Sequence, residues 1–361
     1  MPRLLCDQAL LDGATAALPL AWLDGFALLP FAARDLAGAP DLTHADALLL
    51  RTVTPLPGAL LARMPRLAAV ATLSSGTDHV DTAALAARGI ALNTGHGGNA
   101  RAVADWVEWA LAGMLSTGTW RNGCTFLPVL SGRRVLVVGV GAVGTLVAAR
   151  LGACGAEVWL CDPPRAAREP GFASMDLDAA LAAGPDVVTL HVPKVSAGPH
   201  ATTNLLHAER LHRLRGAVLL NAARGGVLDE AAAVAARAAG HLAGLALDTF
   251  VGEPRPRSAV VAAADRVTPH IGGHSIEGKL RVSLRAIAGL RAQFGLPPHL
   301  DLAAAVARVV AELDAGTPPT GLLTPHASLD AADAGLRACV AADQPFDALR
   351  HSHRRLELPA W

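Results

Sequence analysis

Three side chains in the second half of the chain have complementary reactive character. They are His270 in Thr268-Pro-His-Ile-Gly-Gly273, Glu253 in Asp248-Thr-Phe-Val-Gly-Glu-Pro254, and Arg224 in Asn221-Ala-Ala-Arg-Gly-Gly-Val-Leu-Asp-Glu230. An imidazole exchanges a proton near neutral pH, and a carboxylate beside it favours its protonated form and fixes its orientation. Pro254 restricts the backbone after Glu253, and the loop can carry that carboxylate towards His270. Arginine stays charged, and its planar fork matches a substrate carboxylate. A base, its partner and a carboxylate clamp suit oxidation of a hydroxy acid, provided that a hydride acceptor is held nearby.

The stretch Val135 to Asp162 supplies that holder. An apolar run leads into Gly139-x-Gly141-x-x-Gly144, then a helical segment, a second apolar run and Asp162, eighteen residues past Gly144. The glycines permit a tight turn, close approach of backbone to a pyrophosphate, and close packing of helix on strand. The phosphates then face a helix N-terminus, where free N–H groups and the macrodipole favour negative charge. Asp162 is placed to accept hydrogen bonds from the adenosine ribose, and a 2′-phosphate would meet its charge unfavourably. Pro163-Pro164 is expected to limit how Arg165 turns in, so the cofactor reading is NAD rather than NADP. Ala142 and Val143 in the glycine turn, with His191, Val192, Ala222, Asp248 and Gly273 at later strand ends, complete the expected cofactor set.

These residues need an edge on which to converge. Apolar runs at Val135 to Val140, Glu157 to Cys161, Val187 to Leu190, Ala217 to Leu220, Ala243 to Leu247 and Arg266 to Thr268 read as strands alternating with helices. Asp162, His191, Arg224, Asp248 and His270 each follow such a run, and ligands of open α/β sheets lie outside the carboxyl ends of the strands. Earlier runs at Leu4 to Cys6, Ala47 to Leu50, Ala68 to Leu73 and Ile90 to Leu92 predict a second parallel sheet. The polar loops after three of them offer Arg51, Thr52, Ser74 and Asn99, and Arg51 is a candidate cation for a phosphate. Asp78, His79 and Asp81 read as turn and helix-cap chemistry. A stripe of Val103, Trp106, Val107, Ala110, Leu111 and Met114 predicts a packed crossover helix.

With 361 residues, several domains are expected. The fold class is α/β with two doubly wound parallel-sheet domains: a flavodoxin-like substrate (lid) domain at 1–99 and 271–290, and a Rossmann NAD domain at 100–270. A small C-terminal α+β domain at 291–361, without legible chemistry, is expected to mediate dimerisation. Thirty-one basic and 31 acidic residues balance, so nucleic acid and an acidic membrane surface are not expected partners. The uncharged run Val135 to Ala149 is shorter than the ~20 residues of a membrane span, and no export signal opens the chain. Five cysteines form no C-x-x-C pair and no ligand cluster, which points to a reducing cytoplasm with no disulfide or metal site.

From about residue 45 to 285 the chain resembles the D-isomer-specific 2-hydroxyacid dehydrogenases. Gly76-Thr-Asp-His-Val-Asp81, the cofactor glycines, Asn221 to Glu230, Gly252-Glu-Pro254 and Thr268-Pro-His270 carry the resemblance. It implies a catalytic set that falls on Arg224, Glu253 and His270, two α/β domains with a cleft between them, NAD and a homodimer. It also implies substrate binding at Thr52 and Ser74, with Asn99 and His274 at substrate-facing positions and a small phosphorylated 2-hydroxy acid as the ligand. The alternatives are another member of the family acting on a different acid, and a dinucleotide-sensing interaction protein without turnover.

Overall fold

The structure, a computed structural model, describes residues 1–12, 18–32, 34–116, 130–297, 301–316, 325–353 and 355–357. The segment Thr117 to Val129, with Cys124, the Pro318-Pro319 pair and Arg354 lie outside the described residues. The chain forms two compact units, 1–99 with 275–321 and 100–274 with 322–361.

The first unit is built on a five-stranded parallel sheet in the order β2-β1-β3-β4-β5. Its strands are β1 (Arg3–Asp7), β2 (Ala27–Phe31), β3 (Ala47–Leu50), β4 (Ala69–Thr72) and β5 (Ala91–Thr94). Every residue of β3 and β4 is buried, which is why they read as unbroken apolar runs. Strand β2 was not anticipated. It lies at the edge, pairs only with β1, alternates between half-buried and exposed positions and contains Pro30, a residue that an edge tolerates. The chain returns to this unit at Ser275, whose hydroxyl caps the helix Ile276–Gln293 by accepting from the Gly278 N–H at 2.8 Å.

The second unit holds a six-stranded parallel sheet in the order β11-β10-β9-β8-β6-β7. The strands are β6 (Arg134–Val138), β7 (Glu157–Cys161), β8 (Val187–Leu190), β9 (Ala217–Asn221), β10 (Leu242–Leu247) and β11 (Arg266–Val267). Alternate residues feed opposite faces: Leu136 and Val138 enter one core, Val135 and Val137 the other. The helix Ala100–Ser116 covers the second face with Trp106, Val107, Ala110, Leu111 and Met114 of the stripe expected from its spacing; Val103, the remaining position, is buried outside that cluster. The strand order reverses between β6 and β8, so the loops following those strands flank a crevice where a dinucleotide binds in such sheets.

The expectation of a separate α+β domain at 291–361 is corrected. The described residues of that segment contain helices and no strand, and packing divides them between the two units. The helix Leu302–Gly316 falls in the first unit. The helix Pro325–Ala341 docks on the second, where Leu329 and Ala332 join one core and Leu336 the other. Phe346 and Arg355, both fully buried, continue that docking. The reason is amphipathicity: a short helical pair buries its apolar stripe on an existing core rather than building a small one of its own. Leu336→Ala is therefore expected to destabilise the second unit by about 3 kcal/mol in urea unfolding. A loss below about 0.5 kcal/mol, as at a surface site, would show that the helix is not part of that core.

Candidate active site

The glycine turn has the geometry of a phosphate cradle. Gly139 has φ +87°, and a Cβ there would lie 2.7 Å from the His191 carbonyl carbon and 2.8 Å from Val192 Cγ1. Only glycine lets the loops after β6 and β8 approach so closely. A Cβ at Gly144 would overlap the Gly139 carbonyl, whereas one at Gly141 would meet nothing. The space in front of Gly141 is open, and Gly141 N-caps the helix Ala142–Ala153 without a side-chain hydrogen bond. N–H groups in the first turn, at Ala142 and Val143, suit a pyrophosphate. The residues present thus fit a dinucleotide.

Asp162 closes this cradle. Its Oδ2 accepts from the Val140 N–H at 2.8 Å and its Oδ1 from the Arg165 N–H at 2.9 Å, fixing the carboxylate at the end of β7. The prolines do not keep Arg165 away. Pro163 and Pro164 start a short helix, and the guanidinium returns to donate to the Val140 carbonyl at 2.8 Å. His191 does not act as a charged group. Its Nε2 pairs with the Thr189 hydroxyl at 2.9 Å, and burial pushes its pKa down to about 3, so it is neutral at working pH. Its contribution to the cradle is backbone shape. Ala222 packs half-buried against the core at the end of β9.

The reactive residues follow later strands of the same sheet, at its carboxyl edge. His270 follows β11 with φ +56°, a left-handed conformation rare for a residue with a side chain. Asp248, 2% exposed, accounts for it. Its Oδ1 accepts from the Thr268 hydroxyl (2.6 Å) and the Ile271 N–H (2.8 Å), and its Oδ2 from the Gly272 N–H (2.9 Å). The His270 N–H donates to the Asp248 carbonyl at 2.8 Å. Asp248, expected to touch the cofactor, is first of all the residue that shapes the turn bearing His270. Trp106 adds to this by donating its Nε1–H to the Thr268 hydroxyl at 2.7 Å.

The His270 ring meets Glu253: Nδ1 lies 2.8 Å from Oε2. The other Glu253 oxygen accepts from the Phe250 N–H at 2.9 Å. Burial alone would raise the Glu253 pKa. The His270 hydrogen bond and charge, with the Phe250 N–H, outweigh burial and hold it below the usual carboxylate range. An ionised Glu253 makes Nδ1 the protonated nitrogen and leaves Nε2 as the base. Arg224 lies at the end of β9 on the same sheet edge, where Nη1 donates to the Ala223 carbonyl at 2.8 Å. Its loop and the Glu253 loop are in backbone contact, since a Cβ at Gly225 would overlap the Phe250 carbonyl. The run Arg224-Gly-Gly226 carried this signal, which sequence reading left unused. Gly273 and His274 follow the His270 turn, both half-buried, and the His274 N–H donates to the Ile271 carbonyl at 2.7 Å.

In the first unit, Arg51, Thr52 and Ser74 follow the neighbouring strands β3 and β4, and Asn99 lies a few residues past β5. Arg51 donates from Nε to Asp7 Oδ2 at 2.7 Å, across the point where this sheet's order reverses. That buried partner at the end of β1 was not recognised in the sequence. Thr52 is exposed. Ser74 donates to the Gly76 carbonyl at 2.6 Å and sits 2.9 Å from the Thr72 hydroxyl, which also contacts His79 Nε2 at 2.8 Å. Asn99 Oδ1 accepts from the Ser75 hydroxyl at 2.8 Å. Asp81 caps the helix Thr82–Ala87, as its position suggested.

No group of three or more potential metal ligands lies together among the described residues, and none of their helices is long and apolar enough to cross a membrane. Cys6, Cys154, Cys161 and Cys339 are free thiols; burial pushes Cys6 up to about 12 and Cys161 up to about 11, leaving both unreactive.

Comparison with known proteins agrees with this geometry. Residues 101–272 match the family model for the D-isomer specific 2-hydroxyacid dehydrogenase, NAD binding domain. The chain belongs to the D-isomer-specific 2-hydroxyacid dehydrogenases, and it is an NAD-dependent oxidoreductase acting on a CH–OH group. Within that family it is similar to the erythronate-4-phosphate dehydrogenase of Salmonella arizonae, 37% identical with 89% of this chain and 84% of that protein covered. It is likewise similar to the erythronate-4-phosphate dehydrogenase of Salinibacter ruber, 44% identical with 67% and 60% covered. Among solved structures, an NADPH-dependent glyoxylate/hydroxypyruvate reductase from Sinorhizobium meliloti, in complex with NADP and malonate, superposes with a TM-score of 0.63. It is 26% identical, with 81% of this chain and 93% of that one covered.

Because the Glu253 pKa is depressed in the folded state, its pair with His270 stabilises the protein above the unfolded carboxylate pKa, and that stability is lost as pH falls through the folded value. The stability difference between the wild type and Glu253→Gln should therefore be largest near neutrality and shrink progressively below about pH 4.3, the unfolded Glu value. Urea unfolding across that range checks it; a difference independent of pH would remove the ionised Glu253.

Proposed function

We propose that the protein oxidises 4-phospho-D-erythronate to 2-oxo-3-hydroxy-4-phosphobutanoate with NAD, a step of vitamin B6 (pyridoxal 5′-phosphate) synthesis. The observation that carries the chemistry is the 2.8 Å contact of His270 Nδ1 with Glu253 Oε2 on the sheet edge that also bears the glycine cradle. The names of the relatives support the substrate. Cys161-Asp-Pro-Pro-Arg165, Thr268 through Lys279, and Phe346-Asp-Ala-Leu-Arg350 ahead of Arg354-Arg355 also resemble that enzyme type.

In this reading His270 Nε2 accepts the proton of the 2-hydroxyl, and Glu253 stabilises the resulting imidazolium through Nδ1. Arg224 binds the substrate carboxylate with its fork and, in the reverse direction, stabilises charge on the carbonyl oxygen. NAD, when bound, supplies the hydride acceptor, and Gly139, Gly141, Gly144 and Asp162 hold it. Arg51, Thr52, Ser74, Asn99 and His274 are assigned to the substrate, with Arg51 as the phosphate cation. At Pro55, Gly98 and His274 the chain departs from the Lys, Cys and Tyr expected of this enzyme type. The glycine at 98 has a packing reason, because a Cβ there would lie 2.7 Å from the Val282 nitrogen. The reading includes a cytoplasmic homodimer; the free thiols fit a reducing compartment.

NADH absorbance with 4-phospho-D-erythronate, 3-phosphoglycerate, glycerate and lactate, together with product 2-oxo acid formation when a second 2-oxo acid is added as acceptor for any retained NADH, tests the assignment. The phosphorylated four-carbon acid should be the best substrate, and His270→Ala should lower kcat by about 10³-fold. Faster turnover of glycerate would assign the protein to another branch of the family. A second measurement concerns Arg51. Its removal alone strands the buried Asp7 carboxylate, so the paired change Asp7→Asn with Arg51→Gln keeps a neutral contact. It should raise KM for the phosphorylated acid about tenfold and leave that for glycerate unchanged. Equal effects on both would remove Arg51 as a phosphate ligand.

A further inference from the structure

Arg165 is placed beside the ribose-recognising acid, yet its guanidinium is occupied. The two polar groups of Val140 are divided between the neighbours: its N–H goes to Asp162 Oδ2 at 2.8 Å, and its carbonyl receives Arg165 Nη1 at 2.8 Å. Nη1 also reaches the Thr145 hydroxyl at 3.1 Å, on the helix that follows the glycine turn. The guanidinium lies over the Phe172 ring, 4.3 Å from its centroid. Its remaining edge is taken by Glu169, with Nε to Oε2 at 2.7 Å and Nη2 to Oε1 at 3.1 Å.

An arginine next to this acid is the group by which such a fold accommodates the 2′-phosphate of NADP. A phosphate and a carboxylate compete for the same fork, because both bind it bidentately. We infer that Glu169 is a cofactor-specificity residue: it withholds Arg165 from a 2′-phosphate and so reinforces the preference for NAD that Asp162 sets. Glu169 does so from the side away from Val140, so it need not touch the cofactor. Its side chain is 53% exposed and that of Arg165 26% exposed, which makes the pair a weak, solvent-screened lock that a phosphate dianion can displace once the carboxylate is neutralised. Discrimination against NADP is thereby divided between the repulsion of Asp162 and the occupation of Arg165.

The test is a binding titration on the full-length protein, followed by the fluorescence of NADPH and NADH, and it needs no substrate. Glu169→Gln should tighten NADPH binding about three- to tenfold, as expected for the loss of one screened competitor, and change NADH affinity less than twofold. Adding Arg165→Ala to Glu169→Gln should abolish the gain. Unchanged NADPH affinity in Glu169→Gln would overturn the inference. So would an equal gain in the double variant, since the effect would then be simple loss of a negative charge. Because the solvent-screened ion pair contributes little to folding, Glu169→Gln should melt together with the wild type.

Discussion

The buried carboxylate of Asp248 is the constraint on which the reactive geometry depends. Both of its oxygens are committed to the turn after β11, through Thr268, Ile271 and Gly272. Burial pushes its pKa up, against the charge of His270 and these hydrogen bonds. Those bonds hold His270 in a left-handed conformation that the residue would not adopt unaided. From that conformation the ring reaches Glu253, which the Phe250 N–H fixes in turn. A chain of buried, satisfied polar groups therefore runs from Trp106 through Thr268 and Asp248 to the His270 turn, and a rigid support of this kind is what a proton-transfer site requires.

Close backbone packing does for the cofactor what hydrogen bonds do for the base. Gly139 lets the loops after β6 and β8 touch, Gly144 lets the helix sit on the turn, and Gly141 leaves open the space in which a pyrophosphate fits. Gly225 applies the same device to bring the Arg224 loop against the Glu253 loop. Charge is then distributed by partner: Asp162 is anchored by backbone N–H groups, Arg165 is neutralised by Glu169, and His191 is kept neutral by burial.

Much of this was legible in the sequence because it rests on periodicity and on residues without substitutes. All six strands of the second sheet, the cofactor glycines, Arg224 and His270 at strand ends, and Glu253 in the loop past β10 follow from apolar runs and from what comes after them. Strand β2 escaped because an edge strand with one exposed face lacks the continuous apolar signal of β3 or β4. Strand-end position puts Asp248 on the sheet edge, but it does not reveal that Thr268, Ile271 and Gly272 are the donors its carboxylate satisfies. The C-terminal segment misled for a related reason: its helices look self-sufficient in sequence, whereas Leu336, Phe346 and Arg355 complete the second unit. The prolines flanking Arg165 restrict its backbone but leave the long side chain free to fold back onto the Val140 carbonyl.

Glu253 fixes the protonation pattern of His270, leaving Nε2 as the base. Nitrogen-15 NMR of the histidine ring reads that pattern directly, without reference to any substrate. At a pH where the ring is neutral, His270 should be the Nδ1–H tautomer in the wild type and lose that preference in Glu253→Ala. A neutral ring carrying its proton on Nε2 in the wild type would contradict it.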